Sequence, residues 1–149
     1  MTKTYSHALI PAVWVILTSS EDEYFLLRRA NTGWEDGTFT VPAGHIEPME
    51  SPRKAGIREL YEETGVVASE KDLKFCHVLF NKSMDGTDTE RVNIFFTLTQ
   101  YTGIPSVAEP EKASEGGWYH KDSLPTLAKT LDAAVSSMSD GHAYSELYY

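Results

Sequence analysis

One stretch, Pro52 to Thr64, constrains this chain more than any other. Ser51-Pro52 reads as a helix start, with serine as N-cap and proline at the first helical position, where its missing N–H costs nothing. Gly65 reads as the residue just past the end. At about 100° per residue, Ile57, Leu60, Tyr61 and Thr64 form the side that faces a core. Glu59, Glu62 and Glu63 gather on the opposite side. Each like-charge pair at i,i+3 or i,i+4 destabilises an exposed helix by about 0.2–0.5 kcal/mol. Partly buried carboxylates about 6 Å apart repel by about 3 kcal/mol at an effective dielectric of 20. The group also sits towards the helix C-terminus, where the dipole disfavours anions. Arg58 reaches Glu62 at i,i+4, and nothing on the helix is well placed for Glu59 and Glu63. Two readings follow: a solvated acidic face, or a site for a hard divalent cation that reverses the sign of the repulsion.

The rest of the chain supplies strands around this helix. The apolar run at residues 8–17 follows Lys3 and has the length of a signal-peptide core. Pro11, the lack of a small-residue cleavage site and the following Glu21-Asp22-Glu23 favour a buried strand instead. Tyr24 to Arg29 reads as a second strand, forming a hairpin with the first. A short extended piece runs from Thr38 to Val41. Residues 73–84 and 90–101 are strand-like and flank Asp85-Gly86, a strong hairpin signal. A short apolar piece surrounds Trp118-Tyr119, and Leu127 to Met138 has helical periodicity. The residues from Ser139 onwards, with Tyr144, Tyr148 and Tyr149, give no clear signal. The order implies an α/β (α+β mixed) fold in one domain, residues 1–149.

Composition narrows the partners. Thirteen Lys+Arg against 22 Asp+Glu give a net charge of −9, which argues against nucleic-acid polymers and anionic membranes in the absence of a basic patch. The single cysteine, Cys76, fits a reducing cytoplasm.

The spacing around the helix decides between the two readings. Gly44, five residues, Glu50, seven residues, then Arg58-Glu59-Leu60-Tyr61-Glu62-Glu63-Thr64-Gly65-Val66 fits G-x5-E-x7-R-E-U-x-E-E-x-G-U, with U a bulky aliphatic. At background frequencies this agreement has odds on the order of 10⁻⁹ per start. The chain thus resembles the Nudix hydrolases. The resemblance implies the Nudix fold, a mixed β-sheet sandwiched between helices. It also implies hydrolysis of a nucleoside diphosphate linked to X, with Mg²⁺ or Mn²⁺ as cofactor. Glu59, Glu62 and Glu63 match the metal-ligand positions, with the Gly44 carbonyl as a fourth ligand. Glu59 or Glu63 matches the general base, and Glu50 and Arg58 match positions that brace the loop against the helix. Glu47 adds a carboxylate nearby. Ala43 and Met49 stand where relatives often carry glycine.

Outside the box the candidates are fewer. Strand alternation lets one of Arg28 and Arg29 face the cleft as a phosphate contact. Trp34 and Phe39 are candidates for stacking on a base, against packing as the more usual use of aromatics at strand edges; His45 reads as a surface histidine, with reach to the pyrophosphate as the alternative. Of the loop glutamates Glu109, Glu111 and Glu115, Glu115 is the favoured extra carboxylate. Asp85, Asp88 and Glu90 lack the spacing of a calcium loop. With no subfamily signature found, the expected substrate is a nucleoside triphosphate, cleaved to monophosphate and pyrophosphate as by MutT-like members. A nucleotide sugar, a dinucleotide or a non-catalytic nucleotide-sensing module are the alternatives. A homodimer burying the Tyr-rich end is the assembly left open.

Overall fold

The computed structural model describes residues 8–83, 87 and 89–149. Its elements run β1 (Leu9–Leu17), β2 (Glu23–Arg29), β3 (Phe39–Thr40), β4 (Ala43–His45), α1 (Pro52–Thr64), a 3₁₀ turn (Glu70–Asp72), β5 (Lys74–Lys82), β6 (Glu90–Leu98), β7 (Ala113–His120), α2 (Lys129–Ser139) and β8 (Tyr144–Leu147). Among the described residues the strands form a five-stranded sheet, β4-β1-β6-β5-β8, and a three-stranded one, β3-β2-β7. β1 is parallel to β6 and antiparallel to β4.

β1 is apolar on both faces and lies in the interior of its sheet, as such strands do. Val13, Val15 and Leu17 point into one core with Leu60 and Ala55 of α1. Trp14 and Ile16 point into the other, with Leu131 and Ala134 of α2. The mixed sheet therefore lies between two helices, in agreement with the expected fold class. No described helix is long and apolar enough to cross a membrane.

Several sequence expectations are corrected. β1 and β2 do not form a hairpin. They meet at one bridge, Thr18 with Tyr24, and then enter different sheets. Both hydrogen-bonding edges of β1 are taken, by β4 and β6, so none remains for β2. Tyr61 is not a core residue: it is 59% exposed. The buried arc of α1 is Ala55, Gly56, Leu60 and Thr64, rotated towards the side that carries Glu59 and Glu63. The helix ends are as read, with Ser51 Oγ accepting from Lys54 N–H (3.2 Å) and Gly65 left-handed at φ 75°.

The apolar piece at Trp118-Tyr119 is the end of a longer strand, β7, concealed in the sequence by Ser114, Glu115, Gly116 and Gly117. α2 begins at Lys129 because residues before it still pair: Ala128 N–H donates to the Phe39 carbonyl (2.9 Å). β5 and β6 pair antiparallel up to Lys82 with Glu90. The Asp85-Gly86 turn and the Asp85 and Asp88 side chains lie outside the described residues.

β8 had no sequence signal; it pairs parallel with β5, Val78 standing opposite Tyr144, and a histidine of β5 adds to the hold. His77, buried in β5, meets the His142 carbonyl through Nδ1 (3.1 Å) and the Ser145 hydroxyl through Nε2 (2.7 Å). A carbonyl only accepts, so Nδ1 carries the proton and Nε2 accepts from the hydroxyl. Burial holds the ring's pKa below its ordinary value, consistent with this neutral tautomer.

The Phe25 and Leu27 side chains of β2 lie over Gly116 of β7, where a Cβ would stand 3.0 Å from Phe25 Cζ and 3.2 Å from Leu27 Cδ2. Gly116→Ala is expected to destabilise the fold by about 1–3 kcal/mol through overpacking. Urea unfolding checks this, and an unchanged midpoint would contradict the close approach.

Candidate active site

The site is built where β4 meets α1. Gly44 sits opposite Val13 in β1, and α1 approaches it so closely that a Cβ on Gly44 would fall on the Glu59 carboxylate. A side chain at this position would displace the Glu59 carboxylate from the Gly44 backbone. Arg58 then ties the loop to the helix. It donates from Nε and Nη2 to the two Glu50 oxygens (2.8 and 2.9 Å) and from Nη2 to the His45 carbonyl (3.1 Å). Glu47 N–H adds a bond to Glu50 (3.0 Å). The hydrogen bonds from Arg58 hold the Glu50 carboxyl down to about 2. Met49 takes a left-handed φ of 66° in this loop with its side chain fully in solvent, so its bulk is accommodated.

Arg58 also corrects the expectation that Glu59 has no helical partner. Its Nη1 donates to Glu59 (2.7 Å) and lies 3.5 Å from Glu62. The long side chain folds back over its own neighbour, a contact that wheel spacing does not reveal. Glu62 is half exposed and turned to Arg58 and solvent. Glu63 is half-buried and accepts from Ala43 N–H (2.7 Å). Burial, then the charges of Glu59 and Glu109, push its carboxyl up to about 8, against the Ala43 bond and Lys112. Burial likewise raises Glu59, opposed by Arg58.

Glu59 and Glu63 open into a cleft of about 190 Å³ that also takes in Glu109, Lys112 and Arg29. Among the described residues no three acidic, histidine or cysteine side chains surround one point closely enough to hold a metal ion. Glu109, bound to Lys112 (3.1 Å), is the loop glutamate that reaches the cleft. The favoured Glu115 does not: it stands opposite Arg28 across the β2–β7 ladder and pairs with it (3.7 Å) at the surface. Arg28 thus points away and Arg29 points in. A register irregularity between Arg28 and Arg29 separates the two. Arg29 donates from Nε to the Trp34 carbonyl (2.9 Å) and lies 4.8 Å over the indole.

Trp34, Gly44 and His45 border an adjoining cavity of about 220 Å³. Phe39 is unavailable for stacking on a ligand because it is buried edge-on against Tyr119. Glu47 is exposed and takes part through its backbone. Asn81, Arg91 and Asn93 at the cavity floor were not singled out from the sequence. The signal was present: three polar residues inward at alternate positions of apolar strands.

A family model described as the NUDIX domain matches residues 8–138. The chain belongs to this family. It is 30% identical over 135 residues to a protein of Deinococcus radiodurans named NAD-capped RNA hydrolase NudC, covering 89% of this chain and 45% of that one. It is 28% identical over 127 residues to a Methanocaldococcus jannaschii protein named ADP-ribose pyrophosphatase, covering 85% of this chain and 72% of that one. Nudix hydrolase 25 of Arabidopsis thaliana is 43% identical over 60 residues, 40% of this chain and 33% of that one. The chain thus spans less than half the length of the first and third of these. In fold it resembles a MutT NUDIX hydrolase from Burkholderia pseudomallei, with a TM-score of 0.78 at 21% identity, covering 87% of this chain and 98% of that one.

Because the folded chain raises the Glu63 carboxyl from 4.5 to about 8, it binds that proton more tightly than the unfolded chain. The associated stability is complete below the unfolded value and lost as pH rises through the folded one. In metal-free buffer, Glu63→Gln is therefore expected to gain stability relative to the parent between about pH 5 and about pH 8.5. Urea titrations at the two pH values check this, and a gap that stays constant would contradict the burial argument.

Proposed function

We propose that the chain, as one NUDIX domain over residues 1–149, is a cytoplasmic pyrophosphohydrolase that needs Mg²⁺ or Mn²⁺. It cleaves a nucleoside diphosphate linked to a further group, with a nucleoside triphosphate, giving monophosphate and pyrophosphate, as the leading substrate. The observation that carries this reading is the convergence of Glu59 and Glu63 beside Gly44. Two acidic side chains withdrawn from solvent at close range are unfavourable alone and are the natural setting for a cation.

The donor chemistry fits such an ion: Glu59 and Glu63, with the Gly44 carbonyl, would supply hard oxygen ligands, and Glu62, which faces Arg58 and solvent in this structure, would have to leave that pair to join them. When bound, a divalent ion neutralises polyphosphate charge and lowers the pKa of water. Arg29 and Lys112 bring positive charge to the cleft to hold phosphate oxygens. Water attacks phosphorus as the bridging P–O bond breaks, and its proton passes to Glu59 or Glu63. Arg58 is a positioning residue that fixes Glu59 and the loop. Glu109 supplies a further carboxylate at the cleft, in the role first given to Glu115.

The names of the relatives favour a second substrate class, a nucleotide sugar such as ADP-ribose or the NAD cap of an RNA. That class weakens the exclusion of nucleic acid drawn from net charge. Release of phosphate, pyrophosphate or monophosphate from triphosphates, ADP-ribose, NAD and NAD-capped RNA separates the two. Glu59→Gln and Glu63→Gln are each expected to lower turnover about a hundredfold or more while the circular dichroism spectrum is retained, and chelation is expected to abolish it. An unchanged rate in either variant removes that residue from the mechanism. Nucleotide binding without turnover would favour a sensing module.

A further inference from the structure

The cleft continues beyond the carboxylates into a third cavity of about 490 Å³. It shares Trp34, Asn81, Arg91 and Thr130 with the 220 Å³ cavity beside Gly44. Two buried polar atoms of opposite sense at this cavity have no hydrogen-bond partner among the described residues: Arg91 Nε, a donor, and Glu35 Oε2, an acceptor. Leaving such a pair unmade is costly in a folded protein. Arg91 and Glu35 thus bring a donor and an acceptor with spare bonding capacity to the wall of one cavity.

The remaining wall comes from outside the residues that the family model matches, which end at 138. β8 runs parallel to β5, with Leu147 opposite Asn81. The next residue, Tyr148, takes a left-handed φ of 70° and lines the cavity that Trp34 also lines. Both rings are partly open to solvent, at 38% and 47%. The segment is fixed at both ends. His77 holds it at His142 and Ser145, and the Tyr149 hydroxyl donates to Glu90 (2.8 Å), next to Arg91.

We propose that β8 and Tyr148 complete a nucleobase compartment of the cleft, in which Tyr148 and Trp34 provide aromatic walls and Arg91 and Glu35 meet the edge of the base. This rests on the nucleotide reading above and adds to it the part of the chain that selects the base. A planar ring with donors and acceptors on its rim suits two aromatic walls and two unmatched polar atoms of opposite sense. Its last wall, Tyr148, lies beyond the residues that the family model matches.

Calorimetric titration with the four nucleoside monophosphates and with ribose 5-phosphate tests it without any turnover. Tyr148→Ala is expected to weaken binding of the preferred monophosphate about five- to a hundredfold, the range for loss of one base–aromatic stack. Ribose 5-phosphate binding should stay unchanged, and Tyr148→Phe should restore the parent affinity. Arg91→Ala should reduce the preference among the four bases. Equal loss for monophosphate and ribose 5-phosphate would make Tyr148 merely structural and overturn the proposal. So would unchanged monophosphate binding, or no monophosphate binding in the parent. Hydrolysis by the parent with Tyr148 indifferent would refute this inference alone. Tyr148-dependent binding without hydrolysis would refute the enzymatic reading and leave the compartment standing.

Discussion

The missing side chain at Gly44 lets the Glu59 carboxylate of α1 lie directly on the backbone of the edge strand β4, in the space a Cβ would need. With the helix that close, Glu63, one turn further on, is drawn out of solvent onto the Ala43 amide. The same approach brings Arg58 within reach of Glu50 and the His45 carbonyl, so the loop before the helix is pinned to it. The electrostatic character of the site follows from this contact. Burial raises Glu63 and Glu59, while Arg58 steadies Glu59 and holds Glu50 ionised.

The cleft is electrostatically graded. Glu59, Glu63 and Glu109 stand at one end with Lys112 and Arg29 beside them. Arg91, Lys82 and Lys129 stand at the other, with Glu35. In a chain of net charge −9 a groove that sets five cations beside four carboxylates is far less negative than the whole, so the global balance misstates the local field. The exclusions drawn from composition apply to the outer surface and not to the groove.

The helix, its caps and the carboxylates were legible because they depend on local chemistry: Ser51, Pro52, Gly65 and the spacing of the glutamates. β1 was legible as a buried strand, but its partners were not, since pairing depends on which edges other strands occupy. β7 was concealed because its Gly116 answers a demand made by Phe25 and Leu27 on another strand. Glu115 was preferred to Glu109 because only the register of β2 against β7 shows that Glu115 faces Arg28. β8 was invisible for a similar reason: a short, half-exposed strand is held by a histidine far away in sequence.

Glu35 has two roles that chain distance conceals. Its Oε1 accepts from the Lys129 amide (3.1 Å) at the start of α2, a helix whose own cap residue, Ala128, offers no side-chain oxygen. Its other oxygen lies unmatched at the cleft. One carboxylate therefore holds the first turn of a helix and faces whatever enters the groove. The same carboxylate thus ties the wall of the groove to the helix whose first residues, Lys129 and Thr130, line that groove, so whatever an occupant does to Glu35 falls on the start of α2 as well.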